Sequence, residues 1–303
     1  LQRFYSNGKL MLTGEYLVLD GARALALPTK FGQDLVVNPA SDKKIHWKSY
    51  DADHSVWFED TIDFSDIRDE NDREKQDSVR HTLVTMLREA YLLNRSLIDN
   101  SDGYSVTTHL TFPKHWGLGT SSTLINNIAQ WLDIDAYTLL KNSFGGSGYD
   151  IACAQNDFPL LYRLENGDPV VETAAFRPAF ASQLYFVYLN KKQNSRTAIA
   201  SYYKHREGID RQVSVIDGIT EAILHANTLS DFAELLEKHE ATMGDVLDMT
   251  PVKHLLFPDF NGTVKSLGAW GGDFVLAISS EDPKTYFAGK GYTTVIPYLD
   301  MVL

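Results

Sequence analysis

The polar residues of this chain that could do chemistry sit among glycines, most densely in Gly117-Leu118-Gly119-Thr120-Ser121-Ser122. A glycine turn that opens a helix behind a row of hydroxyls is an anion site. The first helical turn leaves its N–H groups unpaired, and the helix dipole favours negative charge there. Glycines let the backbone approach a phosphate, and a Ser or Thr hydroxyl can ligate the Mg2+ that accompanies it. The plainer reading is a strand–helix turn capped by Thr120 or Ser121, with the glycines there for geometry. Two familiar phosphate loops do not fit. No lysine follows Gly119, as a Walker A loop requires, and Ser122 stands where a dinucleotide fingerprint has its third glycine.

Lys9 and Glu15 are charges set inside the stretch from Phe4 to Gly21, which is otherwise free of charge up to Asp20. Unpaired, they would be costly, so the plain expectation is a structural ion pair or two edge charges. The sharper one is a lysine aimed at phosphate and a carboxylate that positions it. Asp150 closes the run Gly145-Gly146-Ser147-Gly148-Tyr149-Asp150, and Ile151 to Ala154 reads as a helix start. A carboxylate in that first turn is favoured by the dipole, and in a functional reading it is catalytic. Cys153, the sole cysteine, reads as a small buried residue because no histidine lies near it in sequence.

These groups need elements to hold them. Tyr104, Val106, Leu110 and Phe112 share one parity, the period of a half-buried strand leading into the 117–122 loop. Leu124, Ile125, Ile128, Ala129 and Leu132 follow it at helical spacing. Earlier, Gly21–Pro28 reads as loop or strand, Phe31–Val37 as a strand, and a helical face begins at Ser78 with Val79, Leu83, Met86, Leu87 and Ala90. Residues 41–77 carry Asp51, Asp53, Glu59, Asp60, Asp63, Asp66, Asp69, Glu70 and Asp72, and read as a solvated loop or face. Ala136–Asn142 is a short helix, while Leu160–Leu164 and Leu184–Leu189 are strands, with Glu165–Pro169 turning after the first. Ser195–His205, Arg211–Thr228 and Leu229–Asp248 are amphipathic helices. Strands bracket Ser266–Ala277, then a helix from Pro283 and a strand over Tyr292–Ile296 close the chain. The domain boundary is placed near residue 178, giving 1–178 and 179–303.

The chain has 303 residues, 44% of them hydrophobic and 22% charged, as expected of a globular protein of one large or two ordinary domains. A net charge of −12 argues against nucleic acid or an anionic membrane as partner. One cysteine allows no internal disulfide, and no apolar span of about 18 residues or signal peptide is read, so the expectation is a cytoplasmic protein. The nine histidines show no metal-ligand spacing, which leaves a zinc hydrolase little support.

Taken together, the glycine segments resemble the kinase superfamily of galactokinase, homoserine kinase, mevalonate kinase and phosphomevalonate kinase (GHMP kinases). Its first motif is met by Asn7-Gly8-Lys9 and Gly14-Glu15-Tyr16. Its second is met by Pro113 through Ser122, with Thr120 for the first serine. Its C-terminal Gly-Ala-x-Gly-Gly loop is met by Gly268–Gly272, and its Ser-Gly-x-Asp element by Ser147-Gly148-Tyr149-Asp150. Tyr16 after Glu15, Trp116 before Gly117 and Asp273 after Gly272 lean towards the phosphomevalonate kinase branch. The Gly-Tyr-Asp-Ile-Ala string resembles a small bacterial subgroup of these kinases.

The resemblance implies an α+β fold, with an N-terminal ATP-binding domain like the second domain of ribosomal protein S5 and a ferredoxin-like C-terminal domain. It implies ATP and Mg2+ as cofactors, a small-molecule acceptor, and a monomer or homodimer. In it, Gly117, Leu118, Gly119, Thr120, Ser121 and Ser122 cradle the ATP phosphates and Ser121 ligates Mg2+. Lys9 and Asp150 are catalytic. Glu15, Ser147, Gly148, Gly271, Gly272 and Asp273 line the acceptor side, Glu15 by holding the architecture or Lys9. Phosphomevalonate is the leading acceptor; the alternatives are mevalonate, a sugar or another alcohol, or a nucleotide-binding regulator without turnover. The chain departs from the family pattern in having no acidic residue between Asp135 and Asp150, where a magnesium-binding glutamate often stands. The stretch from Ser121 to Asp150 is also short, as if a helix were missing. Trp270 replaces a glycine of the third loop and is expected to narrow that side of the cleft.

Overall fold

Strands whose apolar residues recur every second position and helices whose apolar residues recur every third or fourth build this chain in alternation. The computed structural model describes residues 1–68, 78–191, 199, 202, 203 and 208–303. In chain order, β1 (Gln2–Thr13), β2 (Ala24–Pro39), β3 (Lys44–Tyr50) and β4 (Val56–Asp63) come first. The helices α1 (Phe64–Arg68), α2 (Val79–Leu93) and α3 (Ser96–Asp99) then lead to β5 (Tyr104–Leu110). After it come α4 (Thr120–Leu132), α5 (Ala136–Ser143) and α6 (Tyr149–Ala154), then β6 (Leu160–Glu165), β7 (Asp168–Thr173) and β8 (Leu184–Tyr188). The last part holds α7 (Asp210–Leu224), α8 (Leu229–Leu247), α9 (Val252–Leu256), β9 (Thr263–Ser266), β10 (Phe274–Ile278), α10 (Lys284–Gly289), β11 (Val295–Pro297) and α11 (Tyr298–Met301).

Two compact units result. The first gathers Leu1–Gly8, Phe31–Lys114 and Leu118–Gln155. In it β4 pairs antiparallel with β3, β3 parallel with β5, and β5 antiparallel with β2 along Gln33–Pro39. Leu35, Val37, Ile45, Trp47 and Val106 from one face of these strands meet Leu83, Leu87, Ile125 and Ile128 from α2 and α4. That face fixes where α4 begins.

The second unit gathers Lys9–Lys30, His115–Gly117 and Asn156–Leu303. Here the first residues of β2 pair with β6, and β6 with β7. A separate antiparallel sheet has the order β11-β8-β10-β9. Helices α7 and α8 pack together, and α8 packs against β9. Val187, Val264, Val275, Phe257 and Phe287 form a core on this sheet.

Several expectations are corrected. The acidic stretch 41–77 is not a loop over its described part: it forms β3, β4 and α1. Its strands alternate, with Ile45, Trp47 and Ser49 buried and Lys44, Lys48, Glu59 and Asp63 on the other face, so charge density masked a period of two; Asp60, opposite Trp47, is met by Arg80 at 3.4 Å. Asp69, Glu70 and Asp72 lie outside the described residues. Ala24–Pro28 is part of one long strand with Phe31–Val37. The turn after β6 is only Asn166-Gly167, both at positive φ (52° and 88°), a two-residue hairpin that starts β7 at Asp168. The stretch between Ser121 and Asp150 contains α4, α5 and the start of α6. Most of the helix expected over 195–205 lies outside the described residues.

Candidate functional site

In the first unit, the 118–122 segment is a helix start held from behind. Leu118 is buried, and Gly119, at φ 98°, is the residue before the first helical turn. No side chain caps α4, so neither Thr120 nor Ser121 is the expected cap. A thirteen-residue helix thus begins without a side-chain partner for its first N–H groups. Its inner face carries polar residues that are satisfied within the protein. Thr123 Oγ1 donates to Gln33 Oε1 (2.7 Å), and Asn127 Nδ2 to the Gln33 carbonyl (2.9 Å). Asn126 Nδ2 donates to Ser6 Oγ (2.8 Å), which donates to Asn127 Oδ1 (2.8 Å). Buried polar groups that are all paired fix one position for a helix, where an apolar face tolerates sliding.

The same helix reaches Asp150. Ser122 Oγ donates to Asp150 Oδ2, joining the loop hydroxyls to the carboxylate that opens α6. Gly148, at φ 87°, precedes that helix, and its carbonyl accepts the Ile151 N–H (3.0 Å). Gly145 and Gly146 also take positive φ with open space around them, so the turn reverses the chain freely. Burial, and then the nearby Cys153, Asp135 and Asp150, push the Tyr137 hydroxyl upward, which keeps it protonated beside the carboxylate. Cys153 is buried, as its reading as a small core residue required.

In the second unit, Lys9 Nζ donates to the Gly117 carbonyl at 2.9 Å. Gly117 has φ 73°, and a β-carbon there would lie 2.4 Å from Asp273 Cγ. The Asp273 N–H donates to the Lys191 carbonyl (2.6 Å), and the Asp273 carbonyl accepts from Leu189 (2.8 Å). Burial raises the Tyr188 hydroxyl and the Asp273 charge adds to it; that hydroxyl donates to the His115 carbonyl at 3.1 Å. Trp116 stands edge-on to Phe274 at 5.4 Å between ring centroids. Gly271 and Gly272 lie in the loop just before Asp273, with Gly271 at φ 73°. Trp270 is 1% exposed, so its ring is taken inside this unit rather than presented as a wall.

Glu15 is 1% exposed; its carboxyl accepts from Lys265 (2.6 Å), and its other oxygen lies 3.3 Å from His239 Nε2. Sequence reasoning missed Lys265, His239, Glu240 and the Ser122–Asp150 contact. The one available signal was Lys265, a lysine between Val264 and Leu267 just ahead of Gly268. Among the described residues no group of three or more His, Cys, Asp or Glu could hold a metal ion, and no helix is long and apolar enough to cross a membrane.

No protein-family model matches the chain, and no curated protein is significantly similar to it in sequence. Solved structures are similar across nearly its whole length. Mevalonate kinase of Methanococcus jannaschii matches with a TM-score of 0.72 at 17% identity, over 97% of this chain and 96% of that one. Phosphomevalonate kinase of Streptococcus pneumoniae, in complex with phosphomevalonate and AMPPNP, matches with 0.72 at 16%, over 96% and 98%. Galactokinase of Lactococcus lactis, complexed with galactose, matches with 0.64 at 14%, over 95% and 88%. The α+β fold implied by the glycine motifs is therefore the fold found: this chain is built like the small-molecule kinases of that superfamily.

Proposed function

We propose that this chain is a GHMP-type, ATP-dependent phosphotransferase that moves the γ-phosphoryl group to a hydroxyl or phosphate of a small metabolite. The observation that carries the reading is the start of α4, opened by Gly119 without a side-chain cap, with its Ser122 hydroxyl on the Asp150 carboxylate. Such a helix start binds phosphate through its N–H groups and dipole. Phosphoryl transfer asks chiefly for positioning and charge neutralisation, and these residues offer both.

In this reading Gly117 to Ser122 cradle the nucleotide phosphates. Lys9, anchored on the Gly117 carbonyl, neutralises charge at the transferring group. Asp150 orients the acceptor oxygen and takes a proton from it where that oxygen is a hydroxyl or a protonated phosphate, with Ser122 holding the carboxylate in place. Ser147, Gly148, Gly271, Gly272 and Asp273 are assigned to the acceptor side. Mg2+ would be held by the Ser121 hydroxyl, the nucleotide phosphates and water, a donor set of oxygens that suits an ion which dehydrates reluctantly. When bound, it shields phosphate charge. The domain division into 1–178 and 179–303 belongs to this proposal; the compact units follow contacts and not chain order.

Phosphomevalonate is the proposed acceptor, on the sequence details at Tyr16, Trp116 and Asp273 and on the fold shared with a phosphomevalonate kinase. The test is a turnover screen with Mg·ATP over mevalonate, phosphomevalonate, homoserine and common sugars. Turnover of another alcohol alone replaces the acceptor and keeps the reaction. ATP binding without turnover of any of them would make the chain a nucleotide-binding protein and overturn the enzyme.

A further inference from the structure

Glu15, His239, Glu240 and Lys265 are titratable groups that the proposed transfer does not use, and all four are buried. They come from the turn after β1, from α8 and from β9, all within the second unit. Lys265 Nζ donates to Glu15 Oε1 at 2.6 Å and to the Ser266 carbonyl, and stands 3.4 Å from Glu240 Oε1. Ser266 Oγ donates to Glu240 Oε2 at 2.9 Å. The Gly14 N–H donates to His239 Nε2 at 3.1 Å, so the lone pair of that nitrogen is in use and the neutral ring carries its proton on Nδ1. Glu15 Oε2 lies 3.3 Å from the same Nε2 and has no donor.

One ammonium thus faces two carboxyls in a dry site. With both ionised the cluster carries a buried net charge of about −1, a costly state. Each carboxyl keeps one oxygen without a hydrogen bond, but Glu240 Oε1 faces the ammonium at 3.4 Å and its Oε2 accepts from Ser266, whereas Glu15 Oε2 faces only a filled nitrogen lone pair. Glu15 is therefore the carboxyl that keeps a proton.

The ammonium also faces forward along the chain. From β9 the backbone runs into a loop with Gly268, Trp270, Gly271 and Asp273 at φ 59°, 52°, 73° and 52°. Two of these are not glycine, and each such residue costs about 1 kcal/mol. Such conformations persist where their surroundings over-determine them. Lys265 Nζ lies 5.9 Å from the centroid of the buried Trp270 ring, within cation–π range. The ammonium that Glu15 orients is also the charge that seats the indole.

We propose that Lys265, oriented by Glu15, is a positioning residue for the Gly268–Gly272 loop, and that one proton carried by Glu15 sets where the loop sits. The inference rests on the phosphotransferase reading only for the loop's use in the reaction. Burial pushes the Glu15 carboxyl up to about 7 against the pull of Lys265. Glu240 is raised by burial against the same pull, and His239 is driven well below its ordinary value by burial and then by Lys265.

The full chain labelled with 5-fluorotryptophan tests this, with the Trp270 fluorine line assigned by its loss in Trp270→Phe. That line should shift between about pH 6 and pH 8 in the unaltered protein, the range in which Glu15 exchanges its proton. It should stay fixed in Glu15→Gln and still shift in Glu240→Gln. Lys265→Met should also fix it, and if that variant does not fold, Glu15→Gln decides alone. A line that is flat in the unaltered protein, or that titrates unchanged in Glu15→Gln, overturns the proposal. Mg·AMPPNP added to the same samples reports separately on the phosphotransferase reading: absence of binding sinks that reading, while the fluorine titration still decides the loop.

Discussion

The Asp273 carboxylate lies against the α-carbon of Gly117, so close that any β-carbon there would meet its Cγ at 2.4 Å. The residue after the third glycine loop therefore fixes the identity of the first residue of the second. The Gly117 carbonyl is meanwhile held by Lys9 at 2.9 Å. Lys9, Gly117 and Asp273, far apart in sequence, share one arrangement within the second unit.

Gly117→Ala should accordingly destabilise the protein by about 2–4 kcal/mol, combining the left-handed φ of 73° with the steric conflict. Urea midpoints of Gly117→Ala, Asp273→Ala and the double variant separate the two parts. In the double variant the conflict is relieved and about 1 kcal/mol from the backbone should remain. Strict additivity of the single effects would show that the carboxylate simply swings aside.

Asp150→Asn keeps shape and hydrogen bonding but removes the charge. On the proposed reaction it should lower kcat by on the order of 10²–10⁴, with nucleotide affinity little altered. Ser122→Ala, which takes away the donor to Asp150 Oδ2, should lower kcat in the same direction by a smaller factor. Normal turnover in Asp150→Asn reduces the carboxylate to a helix-start charge.

Ser121→Ala separates metal binding from helix start. Because α4 has no side-chain cap, removing this hydroxyl should leave the thermal midpoint unchanged. Turnover at limiting Mg2+ should fall, and excess Mg2+ should restore part of it. A rate independent of the substitution at every Mg2+ concentration removes Ser121 from the metal site.

What the sequence made legible follows from the range of the interactions involved. The start of α4 is local: glycines, hydroxyls and a helical apolar face all lie within 117–132, and the helix begins at Thr120 as that pattern requires. The first turn around Asp150 is local too. Strands β3 and β4 were hidden because twelve acidic residues over 41–77 outweighed the alternation Ile45-Trp47-Ser49, although Glu59 and Asp63 stand on the face of the ladder away from Trp47. The partner of Glu15 was not legible at all. It stands 250 residues away, and only the pairing of β9 and the packing of α8 bring Lys265 and His239 to it. Lys9, six residues from Glu15, was the nearer cation in sequence, and its ammonium goes to a backbone carbonyl instead.

The buried cluster gives stability two opposing pH dependences. Glu15 keeps its proton in the folded chain up to about pH 7, against an ordinary 4.5. Between those values the folded state binds the extra proton, so this stabilising contribution is full below about pH 4.5 and is lost as pH rises to about 7. His239 acts with the opposite sign. It is buried neutral, with its proton affinity well below the ordinary 6.5, so the unfolded chain takes up the extra proton and stability is lost as pH falls below that value. Glu15→Gln removes the first limb and leaves the second: its urea midpoint should fall on acidification from about pH 7 to 5. His239→Gln leaves the carboxyl limb, and its midpoint should fall from about pH 5 to 7. The Glu15 limb spans on the order of 3 kcal/mol, large enough to read in a midpoint shift. Glu240, also raised by burial, adds the same background to every variant, so the difference between the two curves is the quantity to measure. Parallel midpoint curves for Glu15→Gln and His239→Gln would mean that neither group changes its proton on unfolding, and the charge assignment within the cluster would have to be abandoned.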